Sequence, residues 1–428
     1  MKLYNIIVSH SGAPMQRPEF YTGEPVEAAD LWFRDEFIDI VWDKLRRQHV
    51  LISAPRRTGK TSVMNHLVEV PRGDFCVIYQ NVQDLSHPAD LFQTILDNFY
   101  EVNEELIQRL GRGGWKLISD ATKAIRDSVD ISVSAGGFKM ALRRTDPEWK
   151  TNWKQHGEDL LSALRKNGKP ILLIVDELPD LILNMRDSDD SPVKEFLSWF
   201  RTQRQDPKPS DDVVRWLIGG SVNLASTLDE LGQVDSINDL AVETLPVLTD
   251  DQVMEFVRRM LDSREVPFKN TVPKQVVKRL GRPIPLFLQL ATQDLYRSWR
   301  AKPRDLTVKD VNAVFDSLVS SQAAQDKLQH YHSRIRLHYQ EPKQSAAYTI
   351  LGQLSQSADT GIRRQTLQVE FERHLDAAGI AMNAPERRTQ FNQLMRDLEN
   401  DFYVVEVAED HFDFASGLMK AWWKKYYA

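Results

Sequence analysis

The sequence predicts an α/β chain: a parallel sheet with helices on both faces, then an α-helical lid and a C-terminal winged helix. Three observations predict this. Apolar strand-like runs alternate with helical patterns through the first half, and one of them, ILLIVD (Ile171–Asp176), is unbroken, as in strands buried on both faces of a parallel sheet. After Ala241 the pattern becomes helical throughout. From about His330, three helical segments precede two short alternating runs, the outline of a winged helix.

At 428 residues the chain exceeds one compact core, so two or three domains are expected. The boundaries read as an N-terminal segment (1–27), an α/β core (28–244), a helical lid (245–329) and a winged helix (330–428). In the core, LWFRDEFIDIVWDKLRR sets Leu31, Phe37, Ile38, Val41 and Leu45 near one helix face. Strand HVLIS (His49–Ser53), loop APRRTGKT and helix TSVMNHLVEV follow, then strand FCVIYQNV (Phe75–Val82) and a long amphipathic helix from His87. Over about 112–147 the alternating ISVSAGGFKMAL suggests a β-hairpin insertion turning at Gly136-Gly137. Helix resumes, strand PILLIVDEL follows, and helix SPVKEFLSWFRTQRQ leads to strand VVRWLIGGSV (Val213–Val222).

Composition narrows the function. Hydrophobic residues are 42%, charged residues 27% and net charge −6, an ordinary globular balance without the basic excess of a nucleic-acid coat. The single cysteine, Cys76, excludes an internal disulfide framework and reads as a packing residue. No apolar stretch approaches the ~20 residues that span a bilayer, so a soluble, cytoplasmic protein with no membrane partner is expected. His330, His332 and His338 lack the companions of a metal cage and read as a surface cluster. The aromatic tail AWWKKYYA reads as packing for the winged helix.

The chemistry gathers around LISAPRRTGKTSVM (Leu51–Met64). A loop that binds phosphate needs a strand, exposed backbone N–H groups, a lysine, a hydroxyl and a helix start, in that order. Here the stretch Ala54, Pro55, Arg56, Arg57, Thr58, Gly59, Lys60, Thr61 and Ser62 supplies them. Lys60 stands where a lysine supports the β/γ-phosphates, and Thr61 where a hydroxyl ligates Mg²⁺. Ala54 replaces the first glycine of that pattern; if the position demanded positive φ, alanine would be strained by about 1–2 kcal/mol. In ILLIVDE, Asp176 can hold the Mg²⁺ hydration shell and Glu177 can polarise an attacking water. Ser221, with Asn223 as second candidate, ends the strand WLIGGSV and is the candidate partner of the γ-phosphate or the water.

Together, APRRTGKTSVM, ILLIVDELPDLI, WLIGGSV, LPVLTDDQVMEF and LGRPIPLFLQL resemble the archaeal-type ATPases, in the STAND/AAA+ branch of the P-loop NTPases, over roughly Trp32–Tyr427. The resemblance implies an ASCE/AAA+-type core binding ATP and Mg²⁺, with Walker A at Lys60 and Thr61, Walker B at Asp176, and Glu177 as the water-activating base. It places Gly281 and Pro283 in the lid's GxP motif near the nucleotide. Arg282 is then either a second phosphate sensor or an exposed lid arginine. Phe33-Arg34-Asp35 stands where the family usually has Gly-Arg-Glu. In assembled rings a neighbour's arginine completes such a site, and Arg201 and Arg204 are the positional candidates.

The expected activity is a slow, regulated ATPase acting as a nucleotide-controlled switch in a prokaryotic stress or defence system, with self-association and a protein effector as partners. The alternative is a DNA-binding loader or transposition-type regulator, with Arg387 and Arg388 at the start of the recognition helix. Against it, acidic and basic residues balance across 331–428. A kinase or transferase shows no acceptor site, and without an NKxD-type element ATP is expected over GTP.

Overall fold

The computed structural model describes residues 17–101, 129–134, 137–142, 150–165, 170–186, 192–205, 214–220, 224–358 and 360–428. Five parallel strands form the main sheet: β1 (Val50–Ser53), β2 (Cys76–Asn81), β5 (Ile171–Asp176), β6 (Val214–Gly220) and β7 (Ala241–Thr244), in the order β2-β5-β6-β1-β7. Between β2 and β5 in sequence, β3 (Val129–Ser134) and β4 (Gly137–Leu142) form an antiparallel pair of their own. The other residues of the expected 112–147 insertion lie outside the described residues.

Period-two alternation sends side chains to opposite faces of the sheet. Val50, Ile52, Leu172, Ile174 and Leu217 join one buried cluster. Leu51, Ile171, Leu173, Val175, Trp216 and Ile218 join another. Helices α1 (Asp35–Leu45) and α2 (Lys60–Glu69) cover the first face with Phe37, Val41, Val63 and Met64. The second is covered by α3 (Pro88–Glu101), α4 (Trp153–Arg165), α5 (Leu178–Arg186), α6 (Val193–Gln205) and α7 (Leu224–Glu230). With both faces buried, β5 can be apolar throughout, as its sequence is. Cys76 is buried in β2.

Strand β7 departs from the sequence reading, which turned helical at Ala241. It lies at the sheet edge beside β1, with Val50 opposite Ala241, and Val242 is 54% exposed. Four half-exposed residues carry too little apolar pattern to announce a strand.

His49 ties three of these elements together. Its Nδ1 accepts the Trp216 N–H at 3.1 Å, so Nε2 carries the proton and donates to the Arg204 carbonyl at 3.0 Å. Burial, reinforced by nearby Arg215 and Arg204, lowers its pKa to about 4. A histidine held neutral in the folded state and titrating at an ordinary ~6.5 when unfolded contributes stability that is complete above the unfolded value. That stability falls as pH drops from ~6.5 toward about 4. Urea unfolding should therefore show a loss of about 2 kcal/mol between pH 8 and pH 5, reduced in His49→Gln. An identical pH slope in the variant would remove His49 as the cause.

Beyond the sheet, α8 (Asp250–Asp262), α9 (Thr271–Leu280), α10 (Pro285–Ala301) and α11 (Val308–Leu318) form a helical unit. Helix α8 starts at a capping box between Thr249 and Gln252. Helix α12 (Gln322–His338) then runs unbroken through position 330 into α13 (Lys343–Gln356), α14 (Arg364–Ala377) and α15 (Ala384–Asn400). Strands β8 (Ile362–Arg363), β9 (Val404–Ala408) and β10 (His411–Phe414) form a small antiparallel sheet, followed by α16 (Gly417–Tyr426). One hydrophobic cluster runs from Leu248 through Phe287 and Tyr331 to Trp423. The lid helices and the C-terminal elements thus share a core. Trp422 and Trp423 of the aromatic tail are buried in it, while Tyr426 and Tyr427 stay partly exposed.

Candidate functional site

The site lies at the C-terminal ends of β1, β5 and β6, where an α/β sheet presents its loops. Strand β6 separates β1 from β5, yet the side chains leaving those two strands meet. Lys60, at the start of α2, forms a buried ion pair with Asp176 Oδ1 at the end of β5, and its Nζ lies 3.5 Å from Glu177 Oε1. Thr61 Oγ1 donates to Asp176 Oδ2 at 2.7 Å, and Tyr79 OH donates to the same oxygen at 3.3 Å.

This crossing depends on Gly219 in the intervening strand. A Cβ there would fall on Asp176 Oδ1, 2.7 Å from Met64 Cε and 3.0 Å from Lys60 Nζ. Only glycine leaves the passage open. Asp176 is fully buried. Burial opposes its charge, but the Lys60 ammonium and the hydrogen bonds from Lys60, Thr61 and the Glu177 N–H outweigh burial and hold its carboxyl below the usual carboxylate range.

The loop between β1 and α2 answers the question about Ala54. Ala54 is buried, its N–H points to the Gly220 carbonyl at 3.4 Å, and its φ is not positive. The left-handed residues are Arg57 (φ 64°) and Gly59 (φ 97°). Alanine at 54 therefore carries none of the strain that a positive φ would impose. Thr58 Oγ1 donates to the Pro55 carbonyl at 2.6 Å, closing the turn, and Gly59 caps α2. Buried Arg34 holds the loop from behind, donating to the Thr58 carbonyl at 3.2 Å and the Pro246 carbonyl at 2.6 Å. Desolvation lowers its pKa to about 10. Ser62 is turned to the N-terminal segment, its Oγ accepting the Val26 N–H at 2.9 Å.

Glu177 has a left-handed backbone (φ 63°), which costs a non-glycine residue about 1–2 kcal/mol and concentrates at functional sites. Its Oε2 is buried and has no hydrogen-bond partner among the described residues. Arg56 Nη2 lies 4.0 Å from that oxygen and bonds Asp180 Oδ2 at 2.6 Å. Chemically, the cluster offers a cationic lysine, a hydroxyl and a buried carboxylate within one hydrogen bond, and an unsatisfied carboxylate oxygen beside them. A hydroxyl and a carboxylate at a helix N-terminus are hard oxygen donors of the kind Mg²⁺ takes together with water.

Other expected site residues lie elsewhere. Ser221 and Asn223 fall outside the described residues. Gly281 (φ 67°) ends α9 and pairs with Ser416, and the Arg282 N–H donates to the Ala415 carbonyl at 2.7 Å. The Arg282 guanidinium sits 4.5 Å over the Phe402 ring, and Pro283 is half-buried beside it. The GxP segment thus joins the lid to the C-terminal sheet. Arg204 is no finger candidate: its side chain is fully buried, paired with Asp239 at 2.7 Å and stacked 4.3 Å over Phe200. Arg387 is likewise committed, to Asp376 at 2.7 Å and the Met382 carbonyl at 3.0 Å, which leaves Arg388 as the exposed one of that pair.

The histidines are not a surface cluster. His332 stacks on Tyr427 at 3.8 Å, and His338 Nε2 lies 3.8 Å from Asp180 Oδ1. Burial and neighbouring arginines lower the pKa of His338 to about 2 and of His330 to about 4. Gly219, Asp180 and Tyr79 escaped the sequence reading, and Arg34 was noted there only within Phe33-Arg34-Asp35. The glycine pair of WLIGGSV and the acid three residues after Glu177 in DELPD were the traces of the first two.

The chain matches no family model and no curated protein. Solved structures do match. It is similar to the Walker-type ATPase PABY2304 of Pyrococcus abyssi, with 14% identity, a TM-score of 0.59, and coverage of 94% of this chain and 98% of that one. It is also similar to the ORC2 protein of Aeropyrum pernix, solved as ADPNP–ADP complexes, with 13% identity, a TM-score of 0.52 and 91% of each chain covered. At such identities the likeness is one of fold: a parallel sheet with helices on both faces and a largely helical C-terminal region.

Proposed function

We propose that the protein is an ATP-binding, Mg²⁺-dependent ATPase that works as a nucleotide-controlled switch. The observation that carries this reading is the convergence of Lys60, Thr61, Asp176 and the unpartnered Glu177 oxygen at the mouth of the sheet. The A. pernix protein of similar fold was solved with adenine nucleotides, which supports ATP as the ligand.

In this reading the Lys60 ammonium exchanges its carboxylate partners for the β/γ-phosphates, which the N–H groups of the Gly59–Ser62 turn also hold. Thr61 and Asp176 would hold Mg²⁺, which would supply positive charge for the phosphate oxygens. Glu177 Oε2 accepts a proton from the water that attacks the γ-phosphorus, giving ADP and inorganic phosphate.

A switch needs the nucleotide site coupled to a second body. Here the C-terminal elements rest on the site: Arg57 lies 6.0 Å over the Tyr331 ring, His338 faces Asp180, and Lys343 bonds Glu230 at 3.1 Å. A ligand that rearranges Arg56 and Arg57 has different affinity for the docked and undocked arrangements, as a population shift requires. The motif resemblance to STAND ATPases supports the same reading, with stress or defence as its setting. The C-terminal helices α13, α14 and α15 and the β9–β10 hairpin would be a winged helix serving as a protein-docking module.

The test is ATP turnover by the purified protein, with and without double-stranded DNA, against Lys60→Ala as blank. Slow turnover indifferent to DNA is expected. A several-fold rise with DNA would replace the switch by the loader reading and direct attention to Arg388. Turnover no higher than the Lys60→Ala blank, with no ATP binding, would remove the ATPase reading itself.

A further inference from the structure

Helix α12 carries a face that the nucleotide reading does not use. Tyr331, Arg334 and His338 succeed one another at helical spacings of three and four, so they share one side of the helix. Its two ends are located by contact: Tyr331 lies under Arg57, and His338 lies beside Asp180. Arg334 falls between them along the helix, close enough for its charge to act on Arg57 of the loop and on Asp180 of α5.

Arg334 is only 6% exposed, and its side chain forms no hydrogen bond or ion pair among the described residues. Arg57 opposite it has no carboxylate partner there either. Both cations are close enough to act on each other, since the charges of Arg56 and Arg334 add to burial in lowering the Arg57 pKa. Burying an arginine without an anion is costly, and holding two together adds repulsion. Native folds rarely retain such groups unless a ligand completes them. Asp180, a carboxylate that Arg334 acts on, is already bonded to Arg56 at 2.6 Å. The missing ligand is therefore anionic, and the site it faces is the one assigned above to a nucleotide polyphosphate.

We propose that Arg334 binds the terminal phosphate of ATP, so that ATP rather than ADP fastens the C-terminal body to the nucleotide loop. The inference rests on the nucleotide reading above and deepens it. It places phosphate sensing on α12, not on the Arg282 of the lid motif, whose guanidinium is stacked on Phe402. An arginine fork suits two phosphate oxygens at once, and its loss leaves the ADP contacts of the loop untouched.

The experiment is calorimetric titration of ATPγS and ADP into wild type, Arg334→Met and Arg334→Gln, with thermal unfolding of each nucleotide-free protein. Wild type should prefer ATPγS over ADP, and both variants should lose about ten- to a hundredfold in ATPγS affinity while keeping ADP affinity. The nucleotide-free Arg334→Met protein should unfold no earlier than wild type, because an unpaired buried charge has gone. A variant with unaltered ATPγS preference overturns the assignment while the nucleotide reading stands. So does a variant destabilised without nucleotide that still prefers ATPγS, since that marks a structural arginine. Wild type that binds neither nucleotide removes the reading beneath and this inference with it.

Discussion

Glu177→Gln should keep ATP binding and lose turnover by about 10²–10⁴-fold. The amide has the size of the carboxylate, so the left-handed backbone and the packing around it persist. What disappears is the ability of Oε2 to accept a proton. That atom is buried, has no hydrogen-bond partner among the described residues, and lies 4.0 Å from Arg56 Nη2. Lys60 keeps its main partner, Asp176, so the lysine remains positioned for phosphate. Binding and hydrolysis should therefore separate cleanly. The ATP-induced rise in melting temperature should match wild type, while phosphate release in single-turnover conditions nearly vanishes. Asp176→Asn makes the contrast, because it neutralises the partner of Lys60 and the oxygen that Thr61 bonds, so binding and turnover should fall together. Persistent hydrolysis in Glu177→Gln would reassign the base.

Which of these features the sequence could announce follows from how far each depends on distant contacts. Strands β1, β2, β5 and β6 were readable because burial on both faces demands apolar runs, and the loop was readable because its order of residue types is local. Ala54 shows the limit. The sequence can say that glycine is absent at 54, but not that the backbone turns left-handed at Arg57 and Gly59 instead. Gly219 was quoted within a strand, yet its purpose appears only when β6 is seen lying between Lys60 and Asp176. Arg334 belongs to a helix whose pattern reads as ordinary packing. Its position over the loop is set by tertiary contact across some 270 residues of chain. The histidines of the same helix looked exposed for the same reason: helical periodicity shows which residues share a face, not what covers it.

Arg201 and Arg204 make the distinction sharpest, because at helix spacing the two look interchangeable and the structure separates them. Arg204→Ala should cost about 3–5 kcal/mol of stability, the usual cost of breaking a buried ion pair and leaving its partner. Its guanidinium bonds both Asp239 oxygens, at 2.7 and 2.9 Å, and the Ser236 carbonyl, and stacks on Phe200. Removing it strands Asp239 and frees the carbonyl together. It also loosens the segment whose own carbonyl receives His49. Denaturant midpoints should fall steeply, while turnover per folded molecule stays near the wild-type value. Arg204→Met with Asp239→Leu should recover much of the loss, since apolar replacements of a buried pair are often neutral or stabilising. Arg201→Ala is the informative companion: Arg201 is half-buried, with an Nε that has no partner among the described residues. If self-association completes the site, this variant loses turnover in a concentration-dependent manner and keeps its stability. An Arg204→Ala protein as stable as wild type but inactive would return the trans-acting role to Arg204.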